Sequence, residues 1–136
     1  MTALEFADTN VVVYAVGVDS ARQSRAREIL GEGVTVSSQV INETISVLTR
    51  KQGVSLAISH DVAASLLDLC EVAPVDVATI RKAIGLVSRY SLSHWDSLIV
   101  AAALLADCQT LYSEDFQHGQ LFDNQLTVQN PFNLNP

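Results

Sequence analysis

The chain has 136 residues, 49% of them hydrophobic and 17% charged, with a formal net charge of -7. That length suits one domain with its own core, and this composition excludes a disordered chain. The acidic sum argues against a passive nucleic-acid binder that works by phosphate neutralisation alone, but a cluster of carboxylates built to bind divalent cations would also produce it.

No stretch reaches the roughly 18–20 apolar residues of a membrane helix. The opening "MTALEFADTN" has no basic flank and carries an early Asp, so a signal peptide is not expected. Cys70 and Cys108 have neither C-x-x-C nor zinc spacing and read as two buried thiols. The expectation is one cytoplasmic domain over residues 1–136, with no membrane association.

In chain order, Leu4–Phe6 reads as a short strand with Asp8 at or just past its end, while Val11–Val13 is an apolar run without an assigned element. "SARQSRAREIL" (20–30) reads as a helix stopped by "GEG". "VTVSS" (34–38) is β-branched and reads as a strand. Ser37 or Ser38 then caps a helix through about Arg50, with Gly53 as terminator. Residues 55–70 form a broadly apolar helix, and "EVAPVD" (71–76) a strand that Pro74 confines to an edge or an end. Asp76 caps a helix to about Tyr90 and Ser93 the next, to about Ala106; "QTLYS" (109–113) and "LTVQ" (126–129) are strands. Strands alternate with helices throughout, which predicts an α/β fold: a three-layer sandwich with a mainly parallel central sheet of four or five strands. The helix at 93–106, apolar nearly all round, should lie buried between layers.

In an open α/β sheet, ligands bind in the crevice beyond the carboxyl ends of the strands. Asp8 follows the first strand, Glu43 sits in the helix after the second, Asp96 in the first turn of the helix at 93, and Glu114 and Asp115 follow the strand at 109–113. Each has a plain structural role as an alternative. "SHWD" resembles a capping box, Asp8 in "DTN" a turn former, and Glu43 a surface helix residue. Their shared placement at one sheet edge is what points to chemistry. Crowded carboxylates either protonate or bind a cation, and hard divalent ions take oxygen ligands. His60, His94 and His118 lack paired zinc spacing and read as ordinary polar residues. No phosphate-cradling glycine loop or nucleophile-elbow sequence is present.

The segments "FADTNVVVYA", "SSQVINETISVLTR", "LSHWDSLIVAAALLADCQTLYSEDFQHGQ" and "VQNPF" together resemble the PIN-domain ribonucleases, and within them the VapC-like toxins of toxin–antitoxin pairs. The resemblance implies Asp8, Glu43 and Asp96 as metal-binding acids, with Asp115 as a fourth. Asn10 and Ser113 match assisting positions, and Glu114 an acid whose role stays open. It further implies Mg²⁺-dependent hydrolysis of RNA phosphodiesters, with Mn²⁺ able to substitute, a small antitoxin protein as partner, and a homodimer. Arg22, Arg25 and Arg27, with Arg50 and Lys51, are the candidate phosphate contacts. Three alternatives stay open: a PIN nuclease of RNA processing, a non-catalytic RNA-binding module, and a structural cation site.

Overall fold

The computed structural model describes residues 4–18 and 20–132. Six strands form one sheet: β1 (Glu5–Ala7), β2 (Thr35–Ser37), β3 (Glu71–Ala73), β4 (Thr110–Tyr112), β5 (Leu121–Phe122) and β6 (Leu126–Gln129). Their order is β3-β2-β1-β4-β6-β5, all parallel except β5, which runs antiparallel to β6. The helices are α1 (Thr9–Val16), α2 (Gln23–Gly31), α3 (Ser38–Arg50), α4 (Leu56–Leu69), α5 (Val77–Tyr90) and α6 (His94–Leu105). The expected α/β sandwich is present, with one strand more than foreseen. That strand, β5, is too short to show an alternating pattern in sequence. It turns into β6 through Asp123 and Asn124, both with left-handed φ (51° and 53°), a conformation that Asp and Asn tolerate better than most residues. Asp123 anchors this turn to α5 through Lys82, Arg89 and the Tyr90 hydroxyl.

α1 takes up the unassigned Val11–Val13. Three β-branched residues favour a strand, but Asp8 caps the segment at its start, and burial of Val11, Val12 and Val13 outweighs their propensity. Ser37, rather than Ser38, caps α3 by accepting from the Val40 amide at 3.3 Å. β3 stops at Ala73, just before Pro74, and lies at the sheet edge as Pro74 requires. Ser93 caps α6 through the Asp96 amide; the full reciprocal capping box stands instead at Asp76 and Thr79. In α6 every residue from Ser97 to Leu104 is buried, as an all-apolar helix between layers should be. Cys70 and Cys108 are buried free thiols. Among the described residues no helix is long and apolar enough to cross a membrane.

The chain builds β1, β2 and β3 outward on one side, then crosses to place β4 on the other flank of β1. The β1/β4 junction is therefore a topological switch point, where the loops part and leave a crevice. Register aligns Ala7 with Tyr112, so Asp8 and Ser113 are the next residues on adjacent strands.

The buried α6 gives a direct stability test. Ile99→Ala removes a side chain that is only 2% exposed and should cost about 2–5 kcal/mol in urea unfolding. A loss below about 0.5 kcal/mol would mean that α6 is not packed as described.

Candidate metal and active site

Asp8 ends β1 and begins α1. Its amide donates to the Tyr112 carbonyl at 3.0 Å, extending the parallel ladder by one step. Its carboxylate is buried, 4% exposed. Oδ1 accepts from the Thr9 amide (2.7 Å) and Oδ2 from the Ser113 hydroxyl (2.7 Å). Asn10, two residues into α1, reaches back with Nδ2 towards Asp8 Oδ2 (3.4 Å), Ser113 Oγ (3.2 Å) and Asp115 Oδ2 (3.1 Å). Ser113 Oγ also accepts the Asp115 amide at 3.0 Å. Asn10 and Ser113 thus tie Asp8 to Asp115 across the switch point.

Glu43, in the second turn of α3, is held from two sides. The Thr9 hydroxyl donates to Oε2 at 2.7 Å and the Gln39 amide to Oε1 at 2.8 Å. Asp96 stands in the first turn of α6, where a carboxylate suits the positive end of the helix.

Electrostatics bind the four acids into one group. Burial pushes the Asp8 carboxyl from an ordinary 3.8 up to about 7; hydrogen bonds from Ser113 and Thr9 oppose the rise, while Asp115 and Glu43 add repulsion. Asp96 is raised too, first by burial and then by repulsion from Asp115 and, more weakly, Glu43. Asp115 and Glu43 thus act repulsively on both Asp8 and Asp96. Among the described residues, however, no three His, Cys, Asp or Glu side chains are drawn together closely enough to form a ready ion cage. Neutral donors, rather than a shared point of contact, hold the Asp8 and Glu43 carboxylates. The donor set is all oxygen and fits a hard divalent cation, which also leaves room for water ligands.

Glu114 faces elsewhere. Oε1 accepts from the Tyr14 hydroxyl (2.6 Å), Oε2 pairs with Arg22 (3.0 Å), and the Glu114 amide donates to Asn10 Oδ1 (3.3 Å). Both carboxylate oxygens are thus engaged away from the quartet. Arg22 also lies over the Tyr14 and Phe132 rings. The other candidate cations scatter. Arg25 pairs with Glu28 on its own helix, and Arg27 donates to the Ala15 carbonyl and lines a separate recess with Ser20 and Glu28. Arg50 ends α3, and Lys51 follows it as the helix C-cap. Lys51 lines a cleft of about 320 Å³ together with Thr9, Asn10, Tyr14, Glu43 and Asp115. His118 accepts the Asn130 amide, and His94 packs edge-on against Trp95.

Thr9 and Gln39 were not singled out from sequence. Thr9 lies inside "DTN" between two residues that were, and Gln39 stands four residues before Glu43, the spacing at which side chains meet on a helix.

The PIN domain family model matches residues 6–121. The chain belongs to the PIN-domain family. Membership of this family supports a nuclease reading of the crevice, and the α/β architecture agrees with it. Among solved structures, the PIN chain is similar to VapC20 of Mycobacterium tuberculosis, a sarcin-ricin loop cleaving toxin, at 22% identity over 83% of this chain and 89% of that one, with TM-score 0.68. It is also similar to a toxin–antitoxin complex from Klebsiella pneumoniae (14% identity, 94% and 98% covered, TM-score 0.71). A third is VapBC2 of Rickettsia felis, bound to a promoter DNA fragment (16%, 93% and 99%, TM-score 0.68). At these identities the likeness is one of fold. No curated protein matches the chain.

The raised Asp8 carboxyl sets a pH dependence for the metal-free protein. Between its unfolded value of 3.8 and about 7 the folded state binds more protons than the unfolded one, so stability falls as pH rises through that window. Asp96 is shifted in the same direction and adds to the slope. Thermal melts in EDTA at pH 4.5, 6 and 7.5 should show a declining melting temperature, and Asp8→Asn should flatten the decline. A parent whose stability rises steadily over this range contradicts the burial and crowding described for Asp8.

Proposed function

We propose that the protein is a metal-dependent endoribonuclease, the toxin of a toxin–antitoxin pair, acting in the cytoplasm as a single-domain protomer of a homodimer. The observation that carries this reading is buried Asp8 at the β1/β4 switch point, tied to Asp115 through Asn10 and Ser113, with Asp115 and Glu43 repelling both Asp8 and Asp96. RNA as substrate rests on the family and on the sarcin-ricin loop cleaving activity named for one structural neighbour.

Asp8, Glu43, Asp96 and Asp115 would hold Mg²⁺ or Mn²⁺, which would supply polarisation of a phosphate oxygen and acidification of a water. The chain's own residues do the rest. Asn10 and Ser113 fix Asp8 against Asp115, and Thr9 fixes Glu43. Ser113 Oγ donates to Asp8 and accepts from the Asn10 side-chain amide and the Asp115 backbone amide, so its role here is to position the two carboxylates. Lys51, on the cleft wall beside Glu43 and Asp115, offers a cation to a backbone phosphate. Arg22, Arg25 and Arg27 are already engaged with Glu114, Glu28 and the Ala15 carbonyl, so Lys51 takes first place among the candidate phosphate contacts.

The antitoxin partner rests on the toxin–antitoxin complexes among the structural neighbours and on α4, whose Leu56, Ile58, Leu67 and Leu69 are each more than half exposed. An amphipathic helix laid on such a surface is a common mode of recognition.

Two experiments test this. Cleavage of mixed RNA should require Mn²⁺ and stop in EDTA, and Asp8→Asn or Asp96→Asn should slow it a hundredfold or more, about 3 kcal/mol of transition-state stabilisation. Near-parent rates in either folded variant contradict the site. Expression of the chain alone should arrest growth, and co-expression with the adjacent open reading frame should restore it. Harmless expression at good levels contradicts the toxin role.

A further inference from the structure

We propose that Gln39 is a positioning residue whose side-chain amide sets the spacing between Glu43 and the first turn of α6. Gln39 Nε2 donates to Glu43 Oε1 at 2.8 Å and to the backbone carbonyl of Trp95 at 3.2 Å. Trp95 immediately precedes Asp96, so one NH₂ group joins a carboxylate on α3 to the backbone that carries the carboxylate of α6. Each of its two protons meets its own acceptor. The reversed amide would set its oxygen against two other oxygens, so the contacts themselves fix the orientation. Oε1 is buried and has no hydrogen-bond partner among the described residues. A half-satisfied amide is costly in such a place, and the two donor contacts are what hold it there.

The Gln39 amide is neutral and gives one donor to the Glu43 carboxylate and one to the Trp95 carbonyl, so it links α3 to the first turn of α6 without adding charge. Thr9 holds the other oxygen of Glu43 at 2.7 Å, so without Gln39 the carboxylate would pivot about that single contact. This inference rests on reading the acids as a cation site. Gln39 then acts through Glu43, and outer partners of metal-ligating carboxylates typically alter metal affinity 10–100-fold.

The test is a double-mutant cycle on Mn²⁺ affinity, read by melting temperature across a Mn²⁺ titration, for the parent, Gln39→Met, Glu43→Gln and the double variant. Gln39→Met keeps the length of the side chain and removes both donors. It should weaken Mn²⁺ binding 10–100-fold in the parent background and have no further effect once Glu43 is replaced. Melts in EDTA for all four proteins establish that each is folded. Equal Mn²⁺ affinity in the parent and Gln39→Met overturns the proposal, as does an undiminished effect in the Glu43→Gln background. A parent that binds no Mn²⁺ overturns the cation reading of the acids, and this proposal with it. If Gln39→Met does not fold, Gln39→Asn, with an amide one methylene short, takes its place under the same criteria.

Discussion

Burying a carboxylate at the end of the central strand is unfavourable, and the arrangement around Asp8 is organised to offset that cost. The Thr9 amide and Ser113 hydroxyl occupy its two oxygens, and the β1/β4 register delivers Ser113 to that position. Asp8 simultaneously caps α1, which brings Asn10 around to face the loop after β4. Sheet order, the first helix and the link to Asp115 therefore share one side chain. These neutral donors satisfy the carboxylate without cancelling its charge, so Asp8 is left raised to about 7, with Asp115 and Glu43 adding repulsion to the effect of burial. Only an added positive charge, a proton or a metal ion, relieves such a site.

The chain's acids include two contrasting groups. One lies in the crevice. The other includes acids already paired, such as Asp123 between Lys82 and Arg89, where the lowered carboxyl helps to pin a turn, and Glu114 against Arg22. Pairing consumes basic side chains that a nucleic acid would otherwise meet. Lys51 lines the same cleft as Glu43 and Asp115.

Much of this was legible in sequence, for identifiable reasons. Strands alternated with helices, caps stood at Ser37, Asp76 and Ser93, and α6 was too apolar to face water. The rule that ligands gather at the carboxyl ends of strands then sorts the acids by their positions in the chain alone. What stayed hidden depended on tertiary contacts. α1 carries three valines whose local preference is extended, and only packing makes them helical. β5 owes its existence to its partner β6. Arg22 read as free to meet phosphate because Glu114 lies far along the chain, and Gln39 is linked to the Trp95 carbonyl only once α3 and α6 are packed side by side. The tightness of the quartet also escaped sequence reasoning, because placement on one edge does not fix whether carboxylates share a point or only a field.

The central claim is that Asp8 and Asp96, delivered from different ends of the chain, belong to one cation site. Anomalous diffraction from a crystal soaked in Mn²⁺ tests it most directly. The account predicts an anomalous peak in the crevice within bonding distance of both Asp8 and Asp96 carboxylates. A crystal with no peak there, or with Mn²⁺ bound only at acids outside the quartet, would contradict it.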